Sequence, residues 1–166
     1  LINQVKPNFQ LKWREKHFKT IEMVDARAPY FKEYFPVFSD LLMADYNNLA
    51  DLNVAINSWM FKQFGFKVKL YRTSGMQIDT VREERVIDIC VKLGGTKYIS
   101  GNGARAYQVE EHFTSCGVQL EYTDYQPIEY PQLWMKQCGF LKNMSALDYV
   151  FNCGFDWKQV AEKVNA

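Results

Sequence analysis

Between Phe66 and Thr123 the pattern runs strand, helix, strand, helix, strand, and that order constrains the fold more than any other feature of the chain. Phe66, Val68 and Leu70 alternate with Lys67, Lys69 and Tyr71 as in a half-buried strand, which ends at Arg72-Thr73-Ser74-Gly75. Thr80 with Glu83 reads as a capping box, and Val86, Cys90 and Leu93 form the apolar stripe of a helix that Gly94-Gly95 stops. A short strand from Lys97 to Ser100 runs into Gly101-Asn102-Gly103. Ala104 to Ser115 then has helical composition and closes at Gly117, and Val118, Leu120 and Tyr122 mark a third strand. Strands separated by helices cannot be hairpin partners. They lie parallel through right-handed crossovers, with their C-terminal ends at one edge.

The rest of the chain reads as helical. Trp13, His17, Ile21 and Val24 recur at helical spacing, as do Tyr34, Phe38, Leu41 and Leu42 after the Ala28-Pro29 break, and Leu49, Leu52, Ile56, Trp59 and Met60 before Gly65. Ser145-Ala146-Leu147-Asp148 is an N-cap signal, Gly154 a stop, and Trp157, Val160 and Val164 suggest a last amphipathic helix. The expected fold is α/β: a parallel β-α-β-α-β sheet in two or three layers, a Rossmann-like half, with a helical N-terminal half and C-terminal helices. At 166 residues the expectation is a single domain, 1–166, with one core.

Charge and cysteine usage exclude several classes. Twenty basic against nineteen acidic residues leave no overall field to hold DNA, RNA or an acidic membrane, although a local patch can still take an anion. Cys90, Cys116, Cys138 and Cys153 are far apart with no C-x-x-C pair, so no metal site and no cofactor are expected, and reduced thiols point to the cytoplasm. No run of apolar residues is long enough for a bilayer span. The chain opens Leu1-Ile2-Asn3-Gln4 without Met, as a trimmed, processed or partial chain does.

The expected strand edge gathers the candidate site. Ser100-Gly101-Asn102-Gly103-Ala104-Arg105 places two glycines before a helix, so backbone N–H groups and the positive helix end can face an anion, Ser100 donating a hydroxyl bond and Arg105 a bidentate contact. A G-x-G turn more often solves a steric problem, and the lysine of a P-loop is absent. Arg72, Thr73 and Ser74 come from the first strand end, and Asp124 and Tyr125 from the third. Tyr125, Tyr130 and Trp134 lie in an aromatic segment that can stack a sugar or base or simply pack. Arg14, Lys16 and His17 on the first helix can hold an acidic group or present a general base, with His17 the catalytic candidate. His112 reads as surface or packing. No serine sits in G-x-S-x-G, and Cys153 lies at a helix C-terminus, where the dipole disfavours a thiolate. Asp124, Glu129 and Asp148 are further acids or bases, Asp148 fitting a capping role.

Several motifs in one order resemble the WbqC-like proteins of bacterial polysaccharide biosynthesis. They are Trp13 to His17 followed by Ala28 to Phe31, Leu70 to Ser74, Gly95 to Tyr107, Tyr130-Pro131-Gln132-Leu133, and Ser145 to Gly154. Members begin with a further segment carrying a Gln-Pro and aromatics and an Asn-Arg-Asn type motif, so the chain resembles the C-terminal two-thirds of a member. The resemblance implies a role in O-antigen (lipopolysaccharide) or related assembly, as a transferase moving an acyl or aminoacyl group onto a nucleotide-activated amino sugar. The alternative it leaves is a non-catalytic nucleotide-sugar-binding or scaffolding subunit. The expected partner is that sugar or another phosphate-bearing small molecule, and the exposed aromatics leave room for a homodimer.

Overall fold

The computed structural model describes residues 1–158. It divides into two compact units: Leu1–Val68 with the described part of Pro127–Ala166, and Lys69–Gln126. In the first unit the helical stripes become α1 (Trp13–Asp25), α2 (Phe31–Met43) and α3 (Leu49–Gln63), followed near the C-terminus by the short α6 (Met135–Cys138) and by α7 (Ala146–Cys153). Phe38 and Leu42 of α2 pack on Leu52 of α3, with Trp13, Phe18 and Ile21 of α1 around them. Ala28, Phe31 and Phe151 form an adjoining cluster, and Phe35, Ile21 and Leu147 touch both. A buried phenylalanine contributes about 1.5–3 kcal/mol, so these rings hold α7 to the N-terminal helices. Asn48 caps α3 through Asp51 N, and Ser145 caps α7 through Leu147 N at 3.2 Å.

The second unit contains α4 (Arg82–Lys92), β1 (Lys97–Gly101), α5 (Glu110–Thr114) and β2 (Gln119–Thr123). Among the described residues the sheet has two strands, β1 and β2, which run parallel with Lys97 opposite Gln119 and Gly101 opposite Thr123. Ile87 of α4, Phe113 of α5, Val118 and Leu120 of β2 form the buried cluster of this unit, and Tyr98 stacks on Phe113 at 5.7 Å.

The expected three-stranded Rossmann-like sheet is not formed. Residues 66–72 carry no strand, and the alternation there belongs to a helix end. Gly65 takes φ +72°, Gly65 N bonds Lys62 O, and Phe66 N reaches back to Phe61 O at 2.9 Å, which closes α3 as a Schellman turn. Phe66 packs on Phe64 and Phe61, while Val68 and Leu70 are half exposed. With no sheet face for them, period-2 spacing carries no strand. Two smaller expectations also change. Val81, not Thr80, precedes α4, because the Thr80 hydroxyl donates to Asp88 Oδ2 at 2.6 Å and Glu83 is engaged elsewhere. The helix expected from Ala104 to Ser115 is a five-residue 3-10 turn, Asn102–Ala106, and then α5. The segment that follows the glycine loop directly is thus no long helix. The stops at Gly94 and Gly117 fall where expected. Of the expected last helix, Trp157 is described and half exposed, and Val160 and Val164 lie outside the described residues.

Candidate functional site

Because β1 and β2 are parallel, their C-terminal ends share one edge, and the segments leaving that edge are cross-linked. Asn102 Nδ2 donates to Asp124 Oδ1 at 2.9 Å, while Asn102 Oδ1 accepts from Arg105 Nε at 3.1 Å. The Arg105 guanidinium lies over the Tyr122 ring, 4.3 Å from its centroid. One asparagine thus ties the loop after β1 to the residue after β2 and sets the plane of an arginine, which a cation–π contact holds from below. The Arg105 terminal nitrogens bond no described residue and stand at an exposed edge. Gly101 and Gly103 have open space where a Cβ would stand, so the backbone there is open to close approach. Ser100, expected to donate to a ligand, is 5% exposed, and its carbonyl accepts from Thr123 Oγ1.

The other expected residues are distributed as follows. Arg72, Thr73 and Ser74 are exposed at a 3-10 turn, Thr73–Gly75, in the same unit. That turn is tethered through Met76 O, which accepts from Lys92 Nζ on α4. Tyr125 is 68% exposed just past β2. His17 and Tyr130 belong to the other unit. His17 is exposed on α1, edge-on to Trp13 at 5.4 Å. Arg14 does not present itself to an anion: it donates to Met43 O at 2.7 Å and lies over Phe9, closing the C-terminal end of α2. His112, read as surface or packing, shares a 2.6 Å hydrogen bond with Glu83, whose other oxygen accepts from Val109 N.

A second polar cluster, which spacing did not signal, centres on Asp148. Its Oδ2 accepts from Tyr130 Oη at 2.6 Å and from Gln132 Nε2 at 3.0 Å, and Asn152 Nδ2 donates to its main-chain carbonyl. The Tyr130 ring is edge-on to Phe140 and Tyr149, so it packs within its own unit. Burial first, and Asp148 second, push the Asp25 carboxyl up to about 6. The same causes raise the Cys153 thiol, and burial raises Cys90. The only hint in the sequence was that Tyr130 to Leu133 and Ser145 to Gly154 both belong to the quoted motifs. The four cysteines are unpaired. Among the described residues no group of three or more His, Cys, Asp or Glu could hold a metal ion, and no helix is long and apolar enough to cross a membrane.

The sequence profile of the WbqC-like protein family matches residues 1–160. The chain belongs to the WbqC-like protein family. It is similar to an uncharacterized protein of Mycobacterium tuberculosis, 26% identical over 144 residues, which is 86% of this chain and 61% of that relative. This family member therefore spans less than two thirds of that relative's length. No solved structure matches it.

Proposed function

We propose that this WbqC-like chain binds a nucleotide-activated amino sugar through the loop Ser100–Arg105 and takes part in acyl or aminoacyl transfer to it during polysaccharide biosynthesis. The observation that carries the binding step is the arginine held in place by Asn102 and Tyr122. A guanidinium oriented before the ligand arrives loses little rotamer freedom on contact, and its terminal nitrogens match two phosphate oxygens. The open backbone at Gly101 and Gly103 supports close approach of a phosphate, Tyr125 offers an exposed ring for a base or sugar, and Arg72, Thr73 and Ser74 supply further donors.

A second reading, a non-catalytic nucleotide-sugar-binding or scaffolding subunit, is favoured by one observation. Burial holds the Cys90 and Cys153 thiols protonated, which disfavours a covalent acyl intermediate on either.

Thermal-shift titration with nucleotide-linked amino sugars tests the shared step: stabilisation of the wild type that is absent in Arg105→Ala is expected. No stabilisation by any nucleotide sugar would remove the reading. Incubation of the chain with sugar nucleotide and an acyl or aminoacyl donor, followed by mass spectrometry, separates the two: an added acyl mass supports transfer, and binding without a mass change supports the subunit.

A further inference from the structure

In the second unit, two hydrogen bonds fix one carboxylate against a histidine. Glu83, in the first turn of α4, meets His112 Nδ1 of α5 through Oε1 at 2.6 Å and accepts from Val109 N through Oε2 at 2.7 Å. The His112 bond is the first cause of its depressed carboxyl, which is ionised at neutral pH. A carboxylate oxygen only accepts, so Nδ1 carries the hydrogen and the lone pair of the neutral ring is left on Nε2. Nε2 bonds no described residue, and the His112 side chain is 61% exposed against 14% for Glu83. A pair whose imidazole is this open to solvent adds little stability. What it fixes is the tautomer and orientation of the ring, the part a carboxylate plays behind a proton-accepting histidine.

The pair stands beside the arginine loop. Glu83 bonds Val109, and between Arg105 and Val109 the chain folds back, Tyr107 N and Gln108 N both bonding Ala104 O at 3.1 Å. The Tyr122 ring that carries the Arg105 guanidinium packs against the cluster of Ile87, Phe113, Val118 and Leu120. Ile87 lies one helical turn from Glu83, and Phe113 is the neighbour of His112. Chain direction agrees: α4 enters β1 through the turn at Gly94-Gly95, so it runs back along the strand and starts at the edge where β1 ends. That is the edge of Gly101 to Arg105. An oriented guanidinium and an oriented imidazole thus border the same apolar cluster at one end of the sheet.

We propose that His112, oriented by Glu83, is the proton acceptor for the amine of a ligand whose phosphate sits on Arg105. This deepens the function proposed above and rests on it. The amine nitrogen bonds the carbonyl carbon of an acyl ester or thioester donor, and His112 Nε2 takes one of the amine's protons. The bond from that carbon to the donor's oxygen or sulfur breaks, its electron pair leaves with that atom, and the proton passes from Nε2 to it. The products are an amide and an alcohol or thiol, with the histidine returned to its starting state. Glu83 stays a carboxylate throughout and faces the transient imidazolium as its counter-charge.

Nitrogen-15 NMR of the whole chain reads the tautomer. The neutral His112 ring should carry its hydrogen on Nδ1, and Glu83→Gln, whose amide donates as well as accepts, should shift it toward Nε2. Thermal shift with a nucleotide-linked amino sugar, and mass spectrometry of acyl transfer from a thioester or ester donor, then separate this role from binding. His112→Ala should keep the stabilisation and lose transfer by about 10²–10⁴-fold, with part of the rate returned by imidazole in the buffer. Full transfer by His112→Ala, or an unmutated ring protonated on Nε2 alone, would overturn the proton acceptor and leave the nucleotide-sugar reading standing. An unmutated chain that binds the sugar nucleotide but transfers nothing keeps the binding site and overturns the proton acceptor. One that no nucleotide sugar stabilises removes that reading and this role with it.

Discussion

Tyr130 Oη donates to Asp148 Oδ2 at 2.6 Å, joining two segments that are eighteen residues apart in sequence. Burial first, and then the Asp148 carboxylate, push the tyrosine hydroxyl above its usual range. Removing it with Tyr130→Phe leaves the carboxylate with Gln132 as its side-chain donor from that segment. A hydrogen bond to a charged group contributes about 1.5–3 kcal/mol, so a lower denaturation midpoint with an unchanged slope is expected in urea. Asp148→Asn should cost a similar amount, and the double variant less than the sum of the two. Additive losses would mean the two groups act separately.

Gly154 ends α7 at φ +73°, and a Cβ there would stand 3.2 Å from the Tyr30 ring. Tyr30 N also bonds Phe151 O at 2.9 Å, which holds the Tyr30 backbone against the end of α7. Gly154→Ala combines left-handed strain of about 1–2 kcal/mol with that contact. Thermal melts should show the loss, and Tyr30→Leu in the same chain should recover the contact part while leaving the strain.

The Glu83 carboxyl is held below its ordinary value of 4.5, first by the His112 hydrogen bond and then by the Val109 amide. A depressed carboxyl supplies stability that is present above the ordinary value and lost as pH falls through the depressed one. The melting temperature of the wild type should therefore fall more steeply below about pH 4.5 than that of Glu83→Gln. Parallel curves for the two proteins would show that the carboxylate is not what joins α4 to the segment before α5.

Arg105→Lys keeps the positive charge but loses the Nε bond to Asn102 and the flat stack on Tyr122. Calorimetric titration with a nucleotide sugar should show lysine failing to restore what alanine removes. Stability should stay within about 0.5 kcal/mol of wild type, as for most exposed positions. Full binding by Arg105→Lys would mean that charge alone suffices and that the oriented guanidinium is incidental.

The positions of α1, α2, α3 and α7 and the stops at Gly65, Gly94 and Gly154 were legible because each is a local matter. The stripes through Trp13, Phe38 and Leu52 bury one face wherever their partner lies, Gly65 and Gly94 close helices with bonds five residues long, and Ser145 caps from its own side chain. The parallel pairing of Lys97–Gly101 with Gln119–Thr123 was legible for the same reason, since an intervening helix forbids a hairpin. The alternation at Phe66, Val68 and Leu70 misled because period-2 spacing says nothing about whether a sheet face exists to receive it. Phe66 belongs instead to the end of α3.

Tertiary structure decided what the polar groups do. Sequence alone determined that Arg105 follows a glycine loop at a strand end, and that Tyr130, Gln132 and Asp148 occur in recurring motifs. That Asp124 and Tyr122 fix the loop asparagine and the arginine plane, and that Arg14 closes a helix instead of facing an anion, depend on side chains far apart in the chain. Helical and strand periods are written in neighbouring residues. A hydrogen bond or a charge pair depends on distances that only the packed chain sets.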